Sequence, residues 1–139
     1  MAAATKDRIT EKKTVDLQSY PVKAATKIYA GTLVGLLAGY LVPAADTAAL
    51  RVKGVATDTV DNTAGADGDL RCKVEAPIRA RFAAASITQA MVGTKMHVVD
   101  DQTFDDATGT NSVVAGILDE FISTTEGWLY IDPATSLSI

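Results

Sequence analysis

The sequence has few of the residues that form covalent or metal cross-links in small proteins. Its 139 residues include one cysteine, Cys72, and one histidine, His97. A single cysteine excludes a disulfide within the chain, and one cysteine with one histidine gives no support to a zinc site. These features are typical of a protein that assembles in a reducing compartment without disulfide stabilisation.

Aromatic residues are scarce as well. They make up 6% of the chain, while 47% of the residues are hydrophobic and 22% are charged. This composition is globular and the length corresponds to one average domain, so a two-domain enzyme with an inter-domain cleft is not expected. An alanine-rich core with few aromatics is thin, and association with further copies or with a larger partner would supplement it.

The chain also lacks a surplus of basic charge and an apolar N-terminal segment. Its formal net charge is −4 and its pI about 4.8. Modules that bind nucleic acid usually carry a basic surplus, so we expect no nucleic-acid partner. The first residues have no apolar run, which predicts the absence of a secretory signal and a soluble, cytoplasmic domain.

Charge is distributed unevenly along the chain. Residues 1–27 contain six basic and three acidic side chains, a net charge of +3, so the remainder of the chain carries −7. The first segment also lacks a sustained apolar period. The sequence therefore predicts an extended N-terminal arm over residues 1–27 and a single β domain over residues 28–139. A disordered, solubilising tail is the alternative for the arm.

An uncharged stretch from residue 28 to residue 45 raises the question of a membrane helix. Three glycines and a proline interrupt it, namely Gly31, Gly35, Gly39 and Pro43. This spacing favours short β segments at residues 28–30, 32–37 and 40–43, joined by tight turns. We therefore predict a buried hairpin and no membrane partner.

From residue 50 onward, short alternating runs are separated by turn residues. Strands are predicted at 50–57, with a bulge at Gly54, and at 70–76, 78–83, 95–100, 113–122 and 128–131. Loops are predicted at 61–69 and 101–112, and a single helical turn at 86–93, capped by Ser86 or Thr88 and ended by Gly93. Eight to ten strands indicate an all-β fold, a small antiparallel β-barrel or sandwich with the extended N-terminal arm.

Candidate catalytic and metal-binding residues are weak. His97 lies in a predicted strand with no recognisable nucleophile, so we interpret it as facing solvent or a neighbouring subunit. Cys72 is interpreted as a small core residue, because its cationic neighbours point to the opposite face of the strand. No catalytic, cofactor or metal residue is predicted, and the chain is not expected to be an enzyme.

Two groups of aspartates are compatible with calcium or with solvated turns. Asp58, Asp61, Asp67 and Asp69 form the first group; Asp100, Asp101, Asp105 and Asp106 form the second. Neither has the ligand spacing of an EF-hand, and no phosphate-binding glycine loop occurs. Since aspartate is an ordinary turn residue, solvated loops are the favoured interpretation.

The order of segments resembles that of a known family. A charged leader is followed by IYAGTLV at 28–34, GYLVPA at 39–44, GVA at 54–56, DNTAGADG at 61–68, a charged strand ending near Phe82, Gly93, KMHVVDD at 95–101, AGIL at 115–118 and GWLYI at 127–131. This set, over roughly residues 20–132, resembles the capsid cement, or head decoration, proteins of tailed bacteriophages. Each segment alone is only a turn flanked by apolar residues. The lysine-rich start departs from the family pattern.

The resemblance implies a structural protein without a cofactor or a reaction. It implies a homotrimer or homodimer on the outer surface of the capsid in the virion, assembled in the host cytoplasm. The partner would be the major capsid protein, and the site of attachment the junctions between capsomers. A soluble β-domain that binds carbohydrate or calcium is the alternative, and a small hydrolase is a third and weaker hypothesis.

Candidate contact residues follow from this interpretation. The arm would add a strand to a sheet edge of the capsid, with Val15, Leu17, Tyr20 and Val22 as anchors. Lys12 and Lys13 would meet an acidic capsid surface. Trp128 and Tyr130 are candidates for a subunit interface, where amphipathic rings are enriched, and core packing is the alternative for Trp128.

Overall fold

The computed structural model describes Ala3, Thr5, Lys6 and residues 17–134. This part of the chain contains twelve β-strands and one 3₁₀ turn, Gln89–Met91, which confirms the predicted all-β class. The strands are β1 (Leu17–Pro21), β2 (Thr26–Ile28), β3 (Leu33–Leu37), β4 (Tyr40–Pro43), β5 (Arg51–Ala56), β6 (Val60–Asn62), β7 (Arg71–Glu75), β8 (Ile78–Ala84), β9 (Lys95–Asp100), β10 (Thr103–Asp105), β11 (Val114–Ser123) and β12 (Glu126–Ile131).

Five strands form a closed barrel in the order β10-β8-β12-β11-β9, and the β9–β10 pair completes the ring. All neighbours are antiparallel except β8 and β10. Side chains alternate across the barrel wall. Along β12, Leu129 and Ile131 are buried in the barrel, whereas Trp128 and Tyr130 lie on the outer side. This is the period-two pattern of a strand with one buried face.

A second sheet has the order β1-β7-β5-β3-β4 and contributes to two cores. Leu33, Val52 and Val55 pack into the barrel core, which also contains Phe104 and Leu118. The remaining apolar side chains form a second core, whose members are Val22, Ile28, Val34, Leu41, Ala56, Cys72 and Val74. The short β2–β6 pair contributes Ile28 to it, and an isolated bridge between Val22 and Leu41 joins the two edges of the sheet.

The boundary of the N-terminal arm differs from the prediction. Residues 17–27, assigned above to the arm, form β1 and most of β2, and β1 pairs with β7 over five residues. Alternation explains the difference, because Tyr20 and Val22 face the second core while Ser19 and Pro21 face outward. Charged neighbours hide this short pattern in the sequence. The rest of the predicted arm, residues 7–16, lies outside the described residues.

The uncharged stretch forms strands, as predicted. Strands β3 and β4 make a hairpin whose turn, Ala38–Gly39, has positive φ at both residues, as a tight type I′ connection requires. The first predicted segment is displaced to β2. Among the described residues, no helix is long and apolar enough to cross a bilayer.

Other local predictions are confirmed with adjusted limits. The register between β3 and β5 shifts beside Gly54, where a bulge was predicted. Gly93 has a φ of 89°, and the preceding turn begins after Thr88, although that side chain makes no capping hydrogen bond. The two predicted loops each contribute a three-residue strand, β6 and β10, and their shortness hides them among turn residues.

Candidate interaction surface

The outer side of β8, β12 and β11 presents a continuous aromatic and charged surface, here called the barrel face. It consists of Arg79, Arg81, Asp119, Glu120, Glu126, Trp128 and Tyr130. The register places Trp128 opposite Arg81 on one side and Glu120 on the other, and Tyr130 opposite Arg79. The alternation of β12, with Gly127, Leu129 and Ile131 inside, brings both rings to this surface.

Charge pairs cross the strands around the two rings. Arg79 Nε lies 3.1 Å from Asp119 Oδ2, and its guanidinium carbon lies 5.1 Å from the centre of the Tyr130 ring. Arg81 Nη2 donates to Glu126 Oε1 at 2.6 Å. This hydrogen bond raises the pKa of Arg81 and lowers the pKa of Glu126. The cations of the barrel face are therefore neutralised within the face itself.

The structure excludes one of the two interpretations of Trp128, packing in the barrel core. Its side chain is half-buried and lies outside the barrel core, as does that of Tyr130, whose hydroxyl donates to Asp132 Oδ2 at 3.3 Å. Tryptophan, tyrosine and arginine are the residues enriched at protein interfaces and at their energetic centres. Contact with another subunit through these rings stays a prediction.

The N-terminal candidates are placed differently from one another. Leu17 is 44% exposed and available to a partner. Tyr20 is half-buried, its hydroxyl donates to Gln18 Oε1 at 2.6 Å, and burial raises its pKa. Val22 is fully buried in the second core, so it was wrongly predicted as a surface anchor. Lys12, Lys13 and Val15 lie outside the described residues.

Strand β1 is an edge of its sheet, and its edge is protected. Arg71 on β7 donates from Nε to Ser19 Oγ at 3.0 Å and from Nη2 to the Ser19 carbonyl at 2.8 Å. Pro21 has no N–H group to offer to an added strand. A proline on the edge strand, and an edge carbonyl already bonded to a charged side chain of the neighbouring strand, both oppose uncontrolled strand addition.

His97 and Cys72 are both buried, and their surroundings indicate structural roles. His97 is 5% exposed, and its Nδ1 lies 3.1 Å from the Asp106 carbonyl oxygen. The prediction that it faces solvent or a subunit is wrong, because the loop after β10 covers it. Cys72 is 1% exposed in the second core, as predicted, and burial raises the pKa of its thiol.

The aspartates act as turn residues. Asp61 accepts from the N–H and the hydroxyl of Thr63, which lowers its pKa, and Asp67 accepts from the Ala24 N–H at 2.8 Å. In the second group, Asp100 accepts from the Gln102 N–H, and burial raises the pKa of Asp101. Within the described residues, no three acidic, histidine or cysteine side chains are placed to hold a metal ion.

Two structural polar residues escaped the sequence analysis. Asn62 is 2% exposed and donates from Nδ2 to the carbonyls of Val22, Lys23 and Ala66. Asp46 accepts from the backbone N–H groups of Thr110 and Asn111, 64 and 65 residues away. The only sequence signal for the role of Asn62 is its position among turn residues. The sequence gives no signal that Asp46 contacts residues so far along the chain.

Comparison with known proteins gives no further assignment: no family model, no curated protein and no solved structure matches the chain.

Proposed function

We propose that the chain is a structural protein that binds the outer surface of a tailed-bacteriophage capsid and stabilises the junctions between capsomers. The barrel face is the observation that carries this proposal. It offers two large rings on a rigid, closed barrel, with cations already paired beside them. The order of segments supports it by resemblance to the cement proteins.

The mechanism is mechanical attachment at several points. Once one contact to the shell forms, the next is intramolecular, so modest contacts combine into a durable attachment. Copies joined as a homotrimer or homodimer through closed symmetry would match the local symmetry of the lattice. In this proposal the barrel face joins copies or capsomers, and the leader, defined as residues 1–16, extends the contact to the major capsid protein.

Co-sedimentation with undecorated, expanded heads tests the function. We expect saturable pelleting of the wild-type chain with the heads. Deletion of residues 1–16 is expected to weaken pelleting while the barrel stays folded, because β1 and the rest of the sheet are retained. Absence of saturable pelleting by the full chain would contradict the proposed function.

The role of the barrel face needs a variant and a matched control. Trp128→Ala with Tyr130→Ala is expected either to reduce the oligomeric mass to that of one copy or to weaken binding to heads by at least about tenfold. Val99→Ala, at a residue 45% exposed on β9, removes exposed apolar area elsewhere and is expected to have little effect. Analytical ultracentrifugation measures the mass against the 14.5 kDa of one copy. Equal behaviour of both variants would contradict the assignment of the face.

A further inference from the structure

Among the described residues, half of β5 has no paired strand on one side. Strand β3 pairs with β5 from Arg51 to Val55, but β7 pairs only with Val55 and Ala56. Within residues 17–134, no backbone hydrogen bond joins Arg51, Val52 or Lys53 to a segment other than β3. An unpaired strand edge in the middle of a sheet is a template for one more strand.

A groove runs along this free edge, here called the strand groove. Residues 49–53 form one wall, residues 111–114 the other, and Pro133 also lines it. Its volume is about 260 Å³. A second depression of about 390 Å³ shares Lys53 and Pro133 with it and extends over β1 and β7. The two depressions follow one another along the free edge of β5 through these shared residues.

The lining of the strand groove combines apolar walls with unpaired cations. Leu50, Val52 and Val113 are each less than 10% exposed and line its sides. Arg51 and Lys53 lie two residues apart on the same side of β5. No acidic residue lines the strand groove itself, whereas Asp132 lines the second depression. Within the described residues neither Arg51 nor Lys53 has a salt bridge.

Both walls begin at a strained residue. Ala49 has a φ of 67° and Ser112 a φ of 52°, and each directly precedes a buried apolar residue of the groove. A left-handed backbone is unfavourable for residues other than glycine and persists where the surrounding structure requires it.

We propose that the strand groove binds an extended, acidic segment of a partner protein, which adds to the free edge of β5. Main-chain hydrogen bonds to those N–H and C=O groups of residues 51–53 that point away from β3 would give affinity. Arg51 and Lys53 would pair with carboxylates of the segment. The charge of the groove argues for this occupant, since Arg51 and Lys53 are the charged residues that line it and both are basic. The leader of a second copy has four basic and three acidic residues, so it is not complementary to the positively charged strand groove.

A defined peptide tests this proposal on the isolated chain, independently of the proposed function. The probe is a capped heptapeptide that alternates valine and glutamate, and its counterpart replaces glutamate with lysine. In titrations followed by NMR of the ¹⁵N-labelled chain, we expect saturable shifts of residues 49–53 and 111–114 with the acidic peptide. Slower hydrogen exchange at the amides of residues 51–53 would be the signature of strand addition.

Charge variants complete the experiment. Arg51→Glu with Lys53→Glu is expected to weaken binding of the acidic peptide by about tenfold. Lys73→Glu with Lys95→Glu makes the same charge change at exposed residues outside the groove and is expected to leave affinity within about twofold.

Four results would overturn the proposal. They are the absence of saturable shifts, equal binding of the lysine peptide, unchanged hydrogen exchange at residues 51–53 on binding, and equal weakening by both pairs of variants. Binding of the acidic peptide only to a shortened chain that ends at Ala134 would also overturn the proposal. Residues 135–139 of the chain itself would then be the occupant of the strand groove.

Discussion

Asn62 offers the sharpest test of how the second core is organised. Its side-chain nitrogen lies 3.3 Å from the Val22 carbonyl oxygen, 3.0 Å from that of Lys23 and 3.0 Å from that of Ala66. The two N–H groups of one amide thus serve three carbonyls, and they tie the chain after β1 to the turn after β6. Asn62→Ala removes both side-chain N–H donors, and alanine supplies no donor in their place.

The size of the effect follows from the count of lost bonds. Each net hydrogen bond contributes about 1 kcal/mol. The Val22 and Ala66 carbonyls keep the backbone N–H groups of Gly68 and Asp69 as donors. Among the described residues only the Lys23 carbonyl is left without a donor, at a cost of about 1–3 kcal/mol. We expect Asn62→Ala to lower the free energy of unfolding by about 2–4 kcal/mol, a large share of the stability of a domain this size. The corresponding fall in melting temperature is about 5–15 °C.

Urea denaturation followed by circular dichroism measures this change, with an unchanged m-value as evidence for two-state unfolding. Asn111→Ala is the matched control, because its amide also donates to a backbone carbonyl, that of Asp46 at 2.9 Å, but is exposed. The control is expected to lose less than about 1 kcal/mol. If the two variants lose equal stability, burial of the Asn62 bonds is not what makes them important.

Three further predictions concern the backbone, acid and thiol reactivity. Gly54→Ala is expected to lower the free energy of unfolding, measured by urea denaturation, by about 2–4 kcal/mol, because Gly54 has a φ of 148° and an added Cβ meets the Glu75 carbonyl. Gly31→Ala is expected to lower it by about 1 kcal/mol, because Gly31 has a φ of 85° but an added Cβ meets no other atom. The backbone N–H groups bound to Asp46 lower its pKa. Its stabilisation is therefore present above the unfolded-state pKa and lost as pH falls through the folded-state pKa. Thermal melts should show Asp46→Asn less stable than wild type at neutral pH, with a gap that closes in acid. Cys72 should react with a thiol reagent more than about a hundredfold faster in denaturant than in buffer, because it is buried and its pKa is raised.

The strands that could be predicted are those whose pattern is long enough to show alternation. In β9 the predicted limits match the structure, and β11 was identified although Ile117 and Phe121 also fit a helical period. Strands β6 and β10 have three residues each, and one alternation cannot be told from a turn. Burial of Val22 was missed for the same reason, since its strand is short and follows a charged segment.

The candidate site could be predicted only in part. Alternation along β12 separates Trp128 and Tyr130 from Leu129 and Ile131, but it does not say which pair faces the core. The closed barrel decides it, because Leu129 and Ile131 pack in its interior with Phe82 and Phe104, which leaves Trp128 and Tyr130 on the outer side. Closure depends on pairing between distant segments, which local sequence does not encode.

The strand groove is a clearer case of the same limit. Arg51 and Lys53 look like the solvent-facing residues of an ordinary paired strand, and nothing near them in sequence distinguishes them. The free edge exists because β7 pairs only with the last residues of β5, and the wall opposite it comes from residues 111–114, some sixty residues further along the chain. The strand groove therefore results from the way in which segments distant in sequence are paired and packed.

The two proposed surfaces use their cations in opposite ways. On the barrel face, Arg79 and Arg81 are neutralised by carboxylates of neighbouring strands, so the face presents aromatic area to a partner of either sign. In the strand groove, Arg51 and Lys53 lack such carboxylates among the described residues and are left to select an acidic segment. A chain with net negative charge can thus present a locally positive groove to an acidic partner, because complementarity is set by the contacting surface and not by the total charge.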